Sequence, residues 1–150
     1  MNIPSALLKR RLLKGLGLLL VLPYFRESLA QADDPAYSQE NLMRLQLKKQ
    51  GVQIEMEPLA DTGNSIPMGI AIQAPGQLKI QSFEVIAPDN PSPIVLRIHL
   101  PQAQNSYRMG ARIRLARSQD VWVIATLNDG SKIADAKHCV VTLNACFDAT

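Results

Sequence analysis

Residues 121–143 read VWVIATLNDGSKIADAKHCVVTL, and this stretch is the strongest indication of a β-sheet in the chain. Its first part, Val121–Leu127, is almost continuously apolar, as is typical of a strand that is buried on both faces. Asn128-Asp129-Gly130-Ser131 is a strong turn signal. A second strand over Lys132–Leu143 follows this turn. The stretch therefore predicts two neighbouring β-strands joined by a tight turn.

Apolar and polar residues also alternate with a period of two before this hairpin, which is the period of a half-buried strand. The run Leu78–Ala87 changes parity between Ile80 and Phe83, which predicts a β-bulge. The apolar positions of the other runs are Val52, Ile54 and Met56; Ile66, Met68, Ile70 and Ile72; Ile94, Leu96, Ile98 and Leu100; and Met109, Ala111, Ile113 and Leu115. About seven short strands with Pro, Gly and Asn breaks between them predict an all-β, immunoglobulin-like antiparallel sandwich.

A short helix is predicted before the strands. Ser38 is a candidate N-cap for a helix over Glu40–Lys49, and Gly51 is a candidate stop. Four apolar side chains fall partly on one face of this helix and predict a packing or docking role: Leu42, Met43, Leu45 and Leu47.

The N-terminus has the pattern of an export signal. A basic stretch, Lys9–Lys14, precedes the apolar run Gly15–Leu22, and Ala30-Gln31-Ala32 is a small-x-small cleavage site. The paired Arg10 and Arg11 favour the twin-arginine route over the general one. We therefore expect a signal peptide over 1–32, a helical segment over 33–50, a sandwich over 51–143 and a C-terminal arm over 144–150. The exported chain is expected in the periplasm, with no membrane anchor after cleavage.

The net charge gives no case for nucleic-acid binding. The chain has 16 basic and 13 acidic residues. Removal of residues 1–32 takes away five basic residues and Glu27, so 11 basic residues remain against 12 acidic ones, a net charge near −1. The basic isoelectric point therefore comes mostly from the signal, and no nucleic-acid partner is expected.

No catalytic or metal-binding constellation is evident in the sequence. His99 and His138 lie on different predicted strands, and His138 and Cys139 are adjacent, so their side chains point to opposite faces of a strand. We therefore expect no metal site and no cofactor. Motifs of phosphate loops and hydrolases are also missing. Enzymatic activity of the chain alone is not expected.

Two cysteines and four arginines are the remaining candidates for function. Cys146 lies beyond the last alternating residue, in a stretch where nothing demands burial. Cys139 shares a strand face with Val141 and Leu143 and is expected in the core as a small hydrophobic residue; its alternative is a disulfide with Cys146. A cationic stripe is a candidate docking surface for an acidic partner, or an attraction for oxyanions: Arg108, Arg112, Arg114 and Arg117. The alternative for these arginines is a solvated strand face with cross-strand partners.

From Gly51 to Cys146 the sequence resembles SoxY, the family of sulfur-carrier subunits of the thiosulfate-oxidising Sox system. The stretches that carry the resemblance are Gly63–Met68, Ala87–Pro93, Arg112–Val121, Asn128–Ser131 and Val141–Leu143 before the cysteine. The resemblance implies an immunoglobulin-like sandwich exported by the twin-arginine route and paired with a second sandwich subunit, SoxZ. It also implies that Cys146 carries the sulfur substrate covalently. The implied partner enzymes are a haem enzyme that attaches thiosulfate and a hydrolase that releases sulfate.

The tail departs from the family pattern. The resemblance leads us to expect Gly-Gly-Cys-Gly-Gly, whereas this chain has Asn144-Ala145 before Cys146 and Phe147-Asp148 after it. Glycines make such an arm thin and flexible, and Asp148 opposes thiolate formation by like charge. Two other readings therefore stay open. In one, the sandwich is a binding or assembly module whose carrier role is lost or altered. In the other, Cys139 is a second redox cysteine that pairs with Cys146.

Overall fold

Eight strands and one short helix make up the described part of the chain, which covers residues 37–45, 47 and 49–145 of a computed structural model. The predicted signal, 1–32, and the tail residues 146–150, Cys146 among them, lie outside the described residues. The elements are α1 (Gln39–Arg44), β1 (Val52–Met56), β2 (Leu59–Thr62), β3 (Ile66–Gln73), β4 (Ile80–Ile86), β5 (Ile94–Gln104), β6 (Ser106–Ile113), β7 (Gln119–Leu127) and β8 (Lys132–Leu143).

The strands form two sheets, with the orders β1-β3-β6 and β2-β8-β7-β4-β5. One continuous hydrophobic core contains side chains from both sheets, among them Ile70, Phe83 and Val123. The predicted all-β sandwich is therefore confirmed. The parity change in β4 is also confirmed, because the register of this strand shifts between Ile80 and Ser82 against both of its neighbours.

The structure has one strand more than the sequence predicted, and its pairing is not antiparallel. β2 runs parallel to β8, with Leu59 opposite Val140 and Thr62 opposite Leu143. All other strand pairs are antiparallel. β2 is a short edge strand with no buried residue, so it lacks the alternation by which a half-buried strand is recognised.

β7 is buried on both faces, as its sequence predicts. Val121 and Val123 face the core between the sheets, whereas Trp122 and Ile124 belong to a second, smaller cluster on the outer face of the five-stranded sheet. Leu42 of α1 completes that second cluster and is almost fully buried. The helix therefore supplies the apolar cover that the outer face of β7 requires.

The helix is shorter than predicted. Ser38 does cap it, since its Oγ accepts a hydrogen bond from the backbone N–H of Asn41 at 3.3 Å. However, the helix ends at Arg44 and not at Lys49, and Met43 and Leu45 are exposed. A helix of this length depends on packing, and Leu42 is its one buried residue.

Gly51 is not the helix stop that the sequence suggested. It has a φ of 77° and lies at the start of β1, where its carbonyl accepts a hydrogen bond from Gln73 N–H at 2.6 Å. A Cβ at this position would lie 2.2 Å from the carbonyl oxygen of Gln73. The glycine therefore allows β1 to begin against the end of β3.

No helix in the described part of the chain has the length and apolar character that a bilayer span requires.

Candidate functional site at the root of the C-terminal tail

The last described residues show where the tail leaves the sandwich. β8 ends at Leu143, Asn144 is exposed, and Ala145 is buried again, with 9% of its surface accessible. Cys146, the predicted attachment site, is the next residue and lies outside the described part of the chain. The structure therefore describes the root of the predicted carrier arm up to the residue before the cysteine.

Three backbone hydrogen bonds hold this root. Gly63 N–H donates to the carbonyl of Leu143 at 2.7 Å, and Leu115 N–H donates to the carbonyl of Gly63 at 2.9 Å. Ala145 N–H then donates to the carbonyl of Leu115 at 3.3 Å. Together they connect three segments that are distant in sequence, and we call them the root bonds. They place the residue before Cys146 on the turn that follows β6.

Gly63 is required at this point by close approach. A Cβ on Gly63 would lie 2.2 Å from the carbonyl oxygen of Leu115 and 2.8 Å from the backbone nitrogen of Ala145. Real Cβ atoms essentially never come within 3.0 Å of other heavy atoms. Both clashing atoms belong to the backbone, so no side-chain rotation can relieve the contact. Any other residue at position 63 would therefore push the tail and the turn apart.

Buried amides hold the turn itself. Asn90 and Gln119 are each 5% exposed, and they are the buried polar side chains of the described residues. Asn90 Nδ2 donates to the carbonyl of Arg114 at 2.8 Å, and Asn90 Oδ1 accepts from Ala116 N–H at 2.8 Å. Asn90 therefore binds the backbone on both sides of Leu115.

Gln119 extends this arrangement. Its Nε2 donates to Asn90 Oδ1 at 3.1 Å and to the carbonyl of Arg117 at 3.2 Å. Its Oε1 accepts from Asp89 N–H at 2.8 Å. Among the described residues no buried side-chain nitrogen or oxygen lacks a partner, so the amides are hydrogen-bonded as burial requires.

Ser118 holds the end of β8 from the same turn. Its Oγ accepts a hydrogen bond from Val141 N–H at 2.9 Å and lies 3.5 Å from the carbonyl of Val141. The segment from Arg114 to Gln119 therefore contacts the last strand through Ser118 and the tail through Leu115. In the sequence, Ser118 and Gln119 belong only to a stretch that resembles the family. No local pattern predicted their hydrogen bonds.

The four arginines of the predicted stripe fall into two groups. Arg108 and Arg112 are exposed on β6, and Arg112 Nε donates to Ser65 Oγ at 2.7 Å. Arg114 and Arg117 are exposed on the turn that holds the tail root. None of the four forms a salt bridge with another described residue. The second group therefore lies on the same turn whose Leu115 carbonyl binds Ala145 N–H.

Cys139 lies inside the sandwich. It is fully buried in the main core, and burial raises the pKa of its thiol. The neighbouring His138 points to the opposite face, where its Nδ1 lies 2.7 Å from Asp120 Oδ1. His99 is exposed on β5. The described residues contain no group of three or more His, Cys, Asp or Glu side chains that could hold a metal ion.

The comparison with a solved SoxY structure supports the fold of this chain. The chain is similar to the sulfur carrier protein SoxY from Chlorobium limicola f thiosulfatophilum, with a TM-score of 0.56 and 21% sequence identity over 64% of this chain and 83% of that chain. It also aligns with the superoxide reductase (neelaredoxin) from Ignicoccus hospitalis, with a TM-score of 0.48 and 12% identity over 70% of this chain and 94% of that chain. The likeness to the SoxY structure, at 21% identity, shows a shared fold and not a shared activity.

The family comparison goes further. No curated protein sequence matches the chain, but the family model described as "Sulfur oxidation protein SoxY" matches residues 40–146. This match covers well over half of the chain, from the helix to the cysteine of the tail. The chain therefore belongs to the SoxY family of sulfur oxidation proteins.

Proposed function

We propose that this chain is a periplasmic sulfur carrier that holds sulfur intermediates covalently on Cys146. The observation that carries the proposal is the extent of the family match, which ends on Cys146, directly after a tail root that the sandwich holds in place. The chain is not an enzyme in this proposal. It presents a thiol to partner enzymes that make and break the sulfur bonds.

The proposed loading and release steps follow from the sulfur chemistry of the family. Loading joins the Cys146 sulfur to the outer sulfur of thiosulfate; the thiol loses a proton, and two electrons pass to the haem enzyme. The product is an anionic S-thiosulfonate. Hydrolysis by the second enzyme cleaves the bond between this outer sulfur and the sulfonate. It releases sulfate and a proton and leaves a persulfide on the cysteine.

Arg114 and Arg117 are suited to assist this cargo. Both are exposed on the turn that holds Ala145, the residue directly before Cys146. Guanidinium groups bind oxyanions through paired N–H donors. We therefore assign them an attraction for the thiosulfate and thiosulfonate groups. Arg108 and Arg112, on the exposed face of β6, are assigned to docking of an acidic partner.

A SoxZ-like sandwich is the proposed second subunit. Its absence is not expected to unfold this chain, because the described sandwich already buries a continuous core of its own. We expect the two subunits to co-purify from periplasm. The partner enzymes then act on the heterodimer, and the tail of this chain supplies the reactive thiol.

Mass spectrometry of the intact mature protein tests the proposal. The protein is incubated with thiosulfate and the two partner enzymes, and its mass is measured with and without reductant. A reductant-labile increment on Cys146 is expected, and Cys146→Ser is expected to abolish it. Cys139→Ala is the matched control and should load normally, since Cys139 is buried. Absence of any adduct on Cys146 would refute the carrier function.

A binding or assembly module is the second candidate, and the tail itself favours it. Ala145 is hydrogen-bonded and buried, and non-glycine residues flank the cysteine. Such a tail is less free than a glycine arm. This reading predicts that a Cys146→Ser variant supports full sulfur-dependent growth. The redox pair of Cys139 and Cys146 has less support, because a disulfide would require a second sulfur to enter the core around Cys139.

A further inference from the structure

We propose that Asn90 and Gln119 are positioning residues that fix where the carrier tail leaves the sandwich, and that they thereby limit the reach of Cys146. The functional part of this inference rests on the proposed carrier function. Its structural part concerns the described residues alone. It names a buried amide pair as the device that holds the tail root.

The first step is that burial of these amides demands specific partners. A buried amide without hydrogen bonds destabilises the folded state, because it loses its water partners and gains none in the protein. Both side chains are 95% buried, and their hydrogen bonds to the protein go to the turn Arg114–Arg117, to Asp89 and to each other. The pair therefore favours one backbone conformation of that turn over others.

The second step is that this conformation is the one that binds the tail. Asn90 holds the carbonyl before Leu115 and the N–H after it. The N–H and carbonyl of Leu115 itself are then left to bind Gly63 and Ala145. Asn90 thus binds backbone groups of Arg114 and Ala116. Gly63 and Ala145 bind those of Leu115, which lies between them in sequence. Leu115 is also fully buried in the core, so loss of the Asn90 amide would loosen the backbone on both sides of the residue to which the tail is attached.

The third step concerns reach. A Cα-to-Cα step of about 4 Å and a side chain of about 3 Å keep the Cys146 thiol within about 7 Å of the Ala145 Cα. Release of Asn144 and Ala145 would add about 7 Å to this radius. With the root bonds intact, partner enzymes must therefore dock against the turn that carries Arg114 and Arg117 to reach the thiol. Because the tail root is already ordered before the partner binds, binding costs less conformational entropy.

Hydrogen exchange and electron paramagnetic resonance of the whole mature chain test this inference without any cargo. Asn90→Ala is expected to speed amide exchange of Ala145 and Leu115 by about tenfold or more, which corresponds to the loss of about one hydrogen bond of local stability. Exchange of Val123 in the core of β7 is expected to change much less. A nitroxide on Cys146 should become more mobile in the same variant, and Cys139 should stay unlabelled because it is buried.

Asn128→Ala is the matched control. Asn128 Oδ1 also accepts a backbone hydrogen bond, from Lys79 N–H at 2.9 Å, but it lies beyond the opposite end of β7 from Gln119. The Asn128→Ala variant should leave amide exchange at Ala145 and nitroxide mobility at Cys146 unchanged. Gln119→Met keeps the side-chain length and both Asn90 bonds to the turn, so an intermediate effect is expected. This milder variant also keeps the test open if Asn90→Ala does not fold.

Equal exchange at Ala145 and equal nitroxide mobility in the wild type and the folded amide variants would overturn the positioning role. The result is distinguishable from failure of the carrier function. If the root loosens as expected and no adduct ever forms on Cys146, the positioning role stands and the carrier function fails. If adducts form normally and the root does not loosen, the carrier function stands and the positioning role fails.

Discussion

Gly63→Ala gives the sharpest test of the tail root. The added Cβ would lie 2.2 Å from the Leu115 carbonyl oxygen, so these atoms must separate by about 0.8 Å to reach even 3.0 Å. The bond from Ala145 N–H to the same oxygen is already 3.3 Å long and would be lost. Loss or weakening of two root bonds at about 0.5–1.5 kcal/mol each, with backbone strain of about 1–3 kcal/mol, gives a destabilisation of about 2–6 kcal/mol.

Denaturant unfolding of the mature chain, followed by Trp122 fluorescence, measures this loss. Gly110→Ala is the matched control, because an added Cβ there would have open space within 4 Å and removing a strand glycine is neutral or stabilising by about 0.5–1 kcal/mol. Hydrogen exchange at Ala145 should also become faster in Gly63→Ala. If the two glycine variants unfold at the same denaturant concentration, the close approach of the tail to Gly63 is refuted.

The remaining predictions concern Leu42, Cys139 and two exposed arginines. Leu42→Ala should destabilise the protein by about 2–5 kcal/mol and shift Trp122 emission to the red, since Leu42 covers the outer cluster; an unchanged spectrum would contradict that cover. Cys139 should resist alkylation until the protein unfolds. Burial raises the pKa of Cys139 in the folded state, so its contribution to stability is complete below the unfolded value of about 8.5 and is lost as pH rises further. Unfolding free energies of the wild type and Cys139→Ala between pH 7 and 10 check this, and parallel curves would contradict it. Replacing Arg114 and Arg117 by Gln should slow thiosulfate loading of Cys146 several-fold at low salt and much less at high salt; a salt-independent defect would argue against electrostatic attraction.

The tail root gives a physical reason for Ala145, one of the non-glycine residues next to the cysteine. Glycines serve an arm that must move freely, whereas Ala145 is hydrogen-bonded and buried. A methyl group at this position contributes apolar burial that glycine would not. An alanine before the cysteine therefore supports the short reach that we propose for Cys146.

Much of the sandwich was readable from local patterns. Alternation identified β1, β3, β5 and β6, and the unbroken apolar run identified β7, because a strand buried on both faces needs apolar residues at every position. β2 was missed, since an exposed edge strand places no demand on its side chains. The helix was predicted too long, because helix propensity does not report how far the sheet offers a surface for packing.

The sequence alone determined the sandwich class, the core-facing position of Cys139 and the family resemblance that points to Cys146. Each of these depends on residue type and spacing within one segment. Only the tertiary structure revealed the tail root, because it joins Gly63, Asn90, Leu115 and Ala145 through backbone groups and buried amides. Every residue except proline has the same backbone donor and acceptor, so no pattern of side chains could predict which of these groups bond to each other.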